Sequence, residues 1–208
     1  MGSVNMKLTL IIACLGHIIC GITDCLLAYT PDGRFDFKKD TSDSEKMKKL
    51  FEKMPLRRIE LSMLGGVMAL FMAAFGYIGL SRWAQEYSYI SGKIMFISGM
   101  FFIVPITAHH VFCGAVEWFY IKLGRTDEAL ETVLCFFKRT AAAAAAYVGL
   151  LVFAGTLLVL VVSGKTSLPV WACVFNTLPL FVLLAPTKLP AKGNIAGAVM
   201  FLGLSILI

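Results

Sequence analysis

The run from Leu8 to Tyr29 is predominantly apolar, and its length matches the roughly 20 residues a helix needs to cross the ~30 Å hydrocarbon core of a bilayer. Runs of the same kind recur at 59–80, 94–121, 140–162 and 168–185, and a shorter one closes the sequence at 194–208. No other feature constrains the fold as much. Lipid offers no partner to a backbone N–H or C=O, so segments of this length pair their backbone internally, as helices. Charged residues make up only 15% of the chain, against roughly 25% in an ordinary soluble domain. The expected fold is an all-α integral membrane protein, one polytopic domain over residues 1–208 with about six transmembrane helices. The third run exceeds the length of a span and contains Pro105, so a tilt, a kink or a protruding end is expected there.

Basic residues orient the spans. Fifteen of the nineteen Lys and Arg fall in the first, third and fifth connections, nine of them between Arg34 and Arg58. The other four (Lys7, Arg82, Lys93 and Lys165) belong to the opposite side. The positive-inside rule then places the first connection in the cytoplasm and both termini outside, in a plasma (inner) membrane. Acids are interleaved with the basic cluster, so a juxtamembrane charge belt fits better than a nucleic-acid surface. The expected partners are membrane lipids and anionic inner-leaflet head groups. The six cysteines form no CxxC pair and mostly lie inside apolar runs, which reads as free thiols acting as small hydrophobes.

Two cytoplasmic connections carry amphipathic patterns. Over 42–54, Ser42 and Glu45 make a capping-box pattern, and Met47, Leu50, Phe51 and Met54 recur at helical spacing among lysines. Over 127–137, Thr126 can cap and Leu130, Val133, Leu134 and Phe137 repeat that spacing. Both read as surface helices on the inner leaflet. Each leads into a basic pair, Arg57-Arg58 or Lys138-Arg139, and then into a span. The unit of span, surface helix, basic pair and span therefore occurs twice, which predicts a duplicated two-helix hairpin. A reduced third copy would cover the last two runs.

The repeat extends to the residues that carry chemistry. "HIICGITD" (17–24) returns as "HVFCGAVE" (110–117), each with a His, a Cys-Gly and an acid seven places after the His. Positions i and i+7 share a helix face about 10 Å apart, so each His and acid point the same way without touching. His17 and His110 fall near mid-membrane, with Asn176 at a comparable depth on the fifth run. Asp24, Glu117 and Glu60 fall near the inner interface, beside a basic rim of Arg57, Arg58, Lys138 and Arg139. Polar groups in hydrocarbon are costly and mark functional candidates.

Three readings follow. A cavity open to the cytoplasm, lined by His17, Asp24, Glu60, His110, Glu117 and Asn176, suits binding and translocation of a small solute or ion. A His and a carboxylate from different helices could instead do acid–base chemistry on a lipid or other apolar substrate. On that side, "HHVFCGAVEWFY" resembles the His-then-Glu, aromatic-flanked helix of sterol-isomerase-like membrane proteins, over one helix only and with a different spacing. Thirdly, His17 and His110 could ligate a haem or a metal. No HExxH, Cys–His zinc spacing, GxSxG or phosphate loop is present, so no cofactor is assigned from motifs.

Overall fold

The computed structural model describes residues 3–208 and is nearly all helical. Helix α1 (Ser3–Ala28) leads through a short antiparallel ladder, β1 (Tyr29–Thr30) with β2 (Gly33–Arg34), to two small helices, α2 (Phe37–Asp40) and α3 (Ser44–Phe51). There follow α4 (Leu56–Tyr87), α5 (Tyr89–Lys122), α6 (Asp127–Thr140), a 3-10 turn at Ala141–Ala145 and α7 (Ala146–Val162). A second 3-10 segment (Val170–Phe175), α8 (Thr177–Leu184) and α9 (Lys192–Leu207) complete the order. Four helical stretches are long and apolar enough to cross a membrane: α1 from Met6, α4, α5, and α6 continuing into α7.

Helices α4 and α5 overrun their apolar runs. Their 32 and 34 residues correspond to about 48 and 51 Å of helix. Only Ser88 separates them, and its hydroxyl accepts from the Ser91 N–H to cap α5. Hydropathy marks the part of a helix that suits lipid. Arg82, Gln85 and Glu86 are good helix formers and carry α4 beyond it. Pro105 lies within a continuous α5.

The fifth apolar run is not one helix. Pro179 has no N–H to donate to the Phe175 carbonyl, so a helix cannot pass upstream through this point without losing a bond. Asn176 is extended and caps α8, its side chain accepting from the Leu178 N–H. The sixth run forms α9, 16 residues long and packed antiparallel to α1, with Asn194 near Gly21 and Phe201 near Ala13 and Gly76.

The outward faces of the long helices are apolar: Leu64, Val104 and Val159 are 70%, 68% and 66% exposed. A belt of this kind suits lipid. Inside, the larger core surrounds Tyr77, Phe102, Phe153 and Phe201. A second core lies at the end of the bundle that carries α3, α6 and the basic clusters, here called the basic end. It accounts for the two amphipathic helices. Met47, Leu50, Phe51 and Met54 are all buried, packed with Ile59, Tyr120, Leu130 and Val133. The α3 stripe thus faces protein and not the leaflet, and each such side chain contributes about 1.5–3 kcal/mol on burial. Asp43, and not Ser42, caps α3, accepting from the Lys46 N–H at 3.0 Å. Thr126 caps α6 as the spacing predicts, accepting from the Ala129 N–H. The two helices are tied together where Ser44 and Lys48 both meet Asp127 and where Arg125 Nε donates to the Phe51 carbonyl at 2.9 Å.

Candidate functional site

A cavity of about 700 Å³ lies between α1, α4, α5, α7, α8 and α9. It reaches from Tyr77 and Phe102 at mid-bundle to Phe37, Phe137 and Lys192 at the basic end. His17, Asp24, His110 and Glu117 all line it, although they come from two helices whose sequences lie 93 positions apart.

The two histidines are seated on glycines of neighbouring helices. A Cβ on Gly66 of α4 would strike the His110 ring, and one on Gly197 of α9 would lie 2.6 Å from His17 Cε1. Only glycine lets these rings pack this close to the adjacent backbone. His110 Nε2 faces the Ser62 carbonyl at 3.0 Å, and its Nδ1 faces Asp24 Oδ1 at 3.1 Å. Carbonyls only accept, so Nε2 carries a hydrogen. A single further proton then lies between Nδ1 and Asp24.

From Asp24 the polar contacts continue through α9. Asn194 Nδ2 donates to Asp24 Oδ2 at 2.7 Å, and Asn194 Oδ1 accepts from His17 Nδ1 at 2.9 Å. The carboxylate fixes which end of the amide is which, since only the NH₂ can face it. His17 is then protonated on Nδ1, and its Nε2 accepts from the Tyr77 hydroxyl at 3.4 Å. Tyr77, His17, Asn194, Asp24 and His110 therefore form one line in which every donor points toward Asp24. His17 and Asp24, on one face of α1 but two turns apart, are bridged by an amide and do not touch.

Tyr77 also belongs to the larger core. Its ring lies 5.4, 4.8 and 5.1 Å from those of Phe102, Phe153 and Phe201. This aromatic cluster closes the cavity on the side away from the basic end.

Glu117 is 4% exposed, and its Oε2 has no hydrogen-bond partner. Thr177 Oγ1 and His109 Nδ1 are also without one. Among the described residues these are the buried side-chain N and O atoms left unpaired, and all three residues line the cavity. An unpaired buried polar group costs about 1–3 kcal/mol.

Other sequence candidates lie elsewhere. Glu60 is exposed on the outside of α4, where it accepts from Trp118 Nε1 at 2.9 Å. Asn176 is buried but engaged with α7, donating to the Ala154 carbonyl at 2.8 Å. Arg57, Lys138 and Arg139 are exposed, and Arg58 donates to the Leu26 carbonyl. The basic group at the cavity is Lys192 instead. Sequence reasoning also missed Asn194, Tyr77 and Thr177, and took Cys20 of the repeat as a small hydrophobe. The available signals were an amide and two hydroxyls placed within otherwise apolar segments.

A family model described as a family of unknown function, DUF6796, matches residues 1–206. Neither the curated proteins nor the solved structures contain a match.

Proposed function

The chain thus belongs to family DUF6796, and from its geometry we propose that it is a multi-pass membrane protein that binds a small amphiphile in the cavity. The polar head would lie against Asp24, His110 and Glu117, and the apolar part among Leu70, Phe102, Ile106 and Leu150. The carrying observation is that Glu117, Thr177 and His109, each with one buried and unpaired polar atom, all line the same cavity. Its volume, about 700 Å³, falls in the range of ~300–1,000 Å³ usual for ligand cavities. A ligand with hydrogen-bonding groups there recovers what the protein alone leaves unpaired. The positive-inside pattern directs the basic end, and so the entrance, to the cytoplasm, with both termini on the far side.

Six passes fit this reading, the fifth broken at Asn176. A duplicated hairpin with a reduced third copy is supported by one contact rule. His110 contacts α4, His17 contacts α9 and Asn176 contacts α7, so the polar residue of each copy's first helix meets the second helix of the copy before it.

Translocation of the bound solute is a second reading, favoured by Tyr77, which both ends the polar line and centres the aromatic plug. Acid–base turnover by a histidine, or haem held between His17 and His110, fits less well. Both ring nitrogens of His17 are engaged, by Asn194 and Tyr77, and His110 lies against Asp24 and not opposite His17.

The test is native mass spectrometry of protein extracted into nanodiscs. Wild type should retain an organic mass beyond bulk lipid. Thr177→Val and Glu117→Met should lose that mass while melting higher, because an apolar group of similar volume removes the unpaired atom. Retention unchanged in both variants, together with lower melting, would overturn the proposal. For translocation, protein-dependent transfer of a fluorescent lipid between proteoliposome leaflets is the readout, and its absence refutes that reading.

A further inference from the structure

We propose that Cys20, Asp24 and His110 form a three-ligand site for a zinc-class divalent transition metal on the wall of the cavity. One ligand atom from each residue lies within 4.8 Å of the other two. Cys20 and Asp24 are four residues apart and share a face of α1, and His110 reaches them from α5 over Gly66. Thiolate, carboxylate and imidazole together suit zinc or cobalt rather than magnesium or calcium, which take oxygen ligands.

The surroundings of His110 and Asp24 already have the form that such a site requires. The Nε2–H of His110 is committed to the Ser62 carbonyl, which leaves Nδ1 as the nitrogen with a lone pair to offer. Asn194 takes Asp24 Oδ2 and leaves Oδ1 facing His110 Nδ1, where an ion can take the place of the proton they share. His17 holds the Asn194 oxygen and fixes the amide in that orientation. Nδ1 and Oδ1 face each other at 3.1 Å, a separation that two ligands at ~2.0–2.1 Å from one ion reach at an angle of about 100°. The ion therefore replaces the proton between them without loss of the outer contacts.

Binding is a substitution without redox change. The metal ion displaces the thiol proton of Cys20 and the proton shared by His110 and Asp24, both protons leave to solvent, and the three donor atoms bond the ion. Three protein ligands leave a fourth position for water or a polar group from the cavity, the pattern of open zinc sites. The sequence pattern had offered His17 with His110 as the metal pair. The structure instead brings His110 to the Cys and Asp of the other copy and commits His17 to Asn194 and Tyr77.

The experiment uses the full chain in detergent, stripped with chelator and titrated with Co²⁺. One equivalent should bring up visible d–d bands and a near-ultraviolet thiolate-to-cobalt band, both bleached by Zn²⁺. Cys20→Ser should abolish the thiolate band, Asp24→Asn should weaken binding at least 10-fold, and Cys113→Ser should leave both bands intact. Absence of a saturable thiolate band, or its loss in Cys113→Ser with retention in Cys20→Ser, overturns the assignment. X-ray absorption of zinc-loaded wild type needs no variant to fold. One sulfur at about 2.3 Å with nitrogen and oxygen at about 2.0–2.1 Å supports the site, and a shell without sulfur refutes it. No amphiphile enters either measurement, so the outcome is separate from that of the binding proposal above.

Discussion

Gly66→Ala should break the site from beneath. Its new methyl would fall on Nε2 and Cδ2 of the His110 ring and lie 2.9 Å from Cε1. The ring cannot back away without leaving Ser62 or Asp24, which hold its two nitrogens. Overpacking in a tight core costs about 1–3 kcal/mol. Losing the hydrogen bond to the charged partner adds about 1.5–3 kcal/mol. Alanine returns about 0.8–1 kcal/mol of helix propensity. The net destabilisation is about 1.5–5 kcal/mol, or roughly 3–20 °C of melting temperature at ~2–4 °C per kcal/mol. Tryptophan fluorescence during a thermal melt in detergent reads it. Gly155→Ala is the matched control, because nothing lies within 4 Å of a Cβ there. In a His110→Ala background the methyl meets no ring, so Gly66→Ala should become neutral or slightly stabilising. The double-mutant cycle would then show a coupling of at least about 1 kcal/mol. If Gly66→Ala costs no more than Gly155→Ala, or costs the same with and without His110, the seating of the ring on Gly66 is wrong.

Two further outcomes follow from the same contacts. Asn176→Ala removes the bond to the Ala154 carbonyl and the cap on Leu178, a loss of about 1–3 kcal/mol, and should speed amide exchange in α8 and around Ala154; unchanged protection of both would refute the anchoring role. At the basic end, burial alone would raise the Asp40 carboxyl, but hydrogen bonds from Lys46 and the Asp36 N–H, with the charges of Lys46 and Lys39, hold it below the ordinary aspartate value. Its contribution is therefore complete above that ordinary value and is lost as pH falls through the lower folded one. Amide exchange in α3 should accelerate over that acid window in wild type and show no such step in Asp40→Asn, and a step of equal size in both would refute the assignment.

Much of the architecture is legible from contiguous residues alone. Hydropathy over about twenty positions reports whether a segment suits lipid, and capping residues report where a helix starts, so α1, α4, α5 and α7 and the existence of the amphipathic helices α3 and α6 follow from local pattern. The same reading fails at 168–185, where composition is that of a span but Pro179 and Asn176 interrupt the helix. Hydropathy averages do not register one missing N–H. The stripe of α3 shows a different limit. Its spacing dictates that one face must be buried, and the fold decides that protein rather than lipid does the burying.

At the site, the sequence by itself determined the supply of groups. It placed a histidine, and an acid two turns further on, on each of two helices and on faces set by helical geometry. The expected equal depth of the two histidines fails, because His110 lies level with Asp24 and not with His17. The tertiary structure decided their partners. Asp24 meets His110 of α5, Asn194 joins Asp24 to His17 across 170 and 177 positions of chain, and Gly66 and Gly197 give the two rings their seats. Glu60, at a similar depth, points outward to Trp118 and takes no part. Depth and face are properties of one helix. Whether two polar groups meet depends on how helices distant in sequence cross, and those crossings are set by the small residues and aromatic rings that let particular backbones approach.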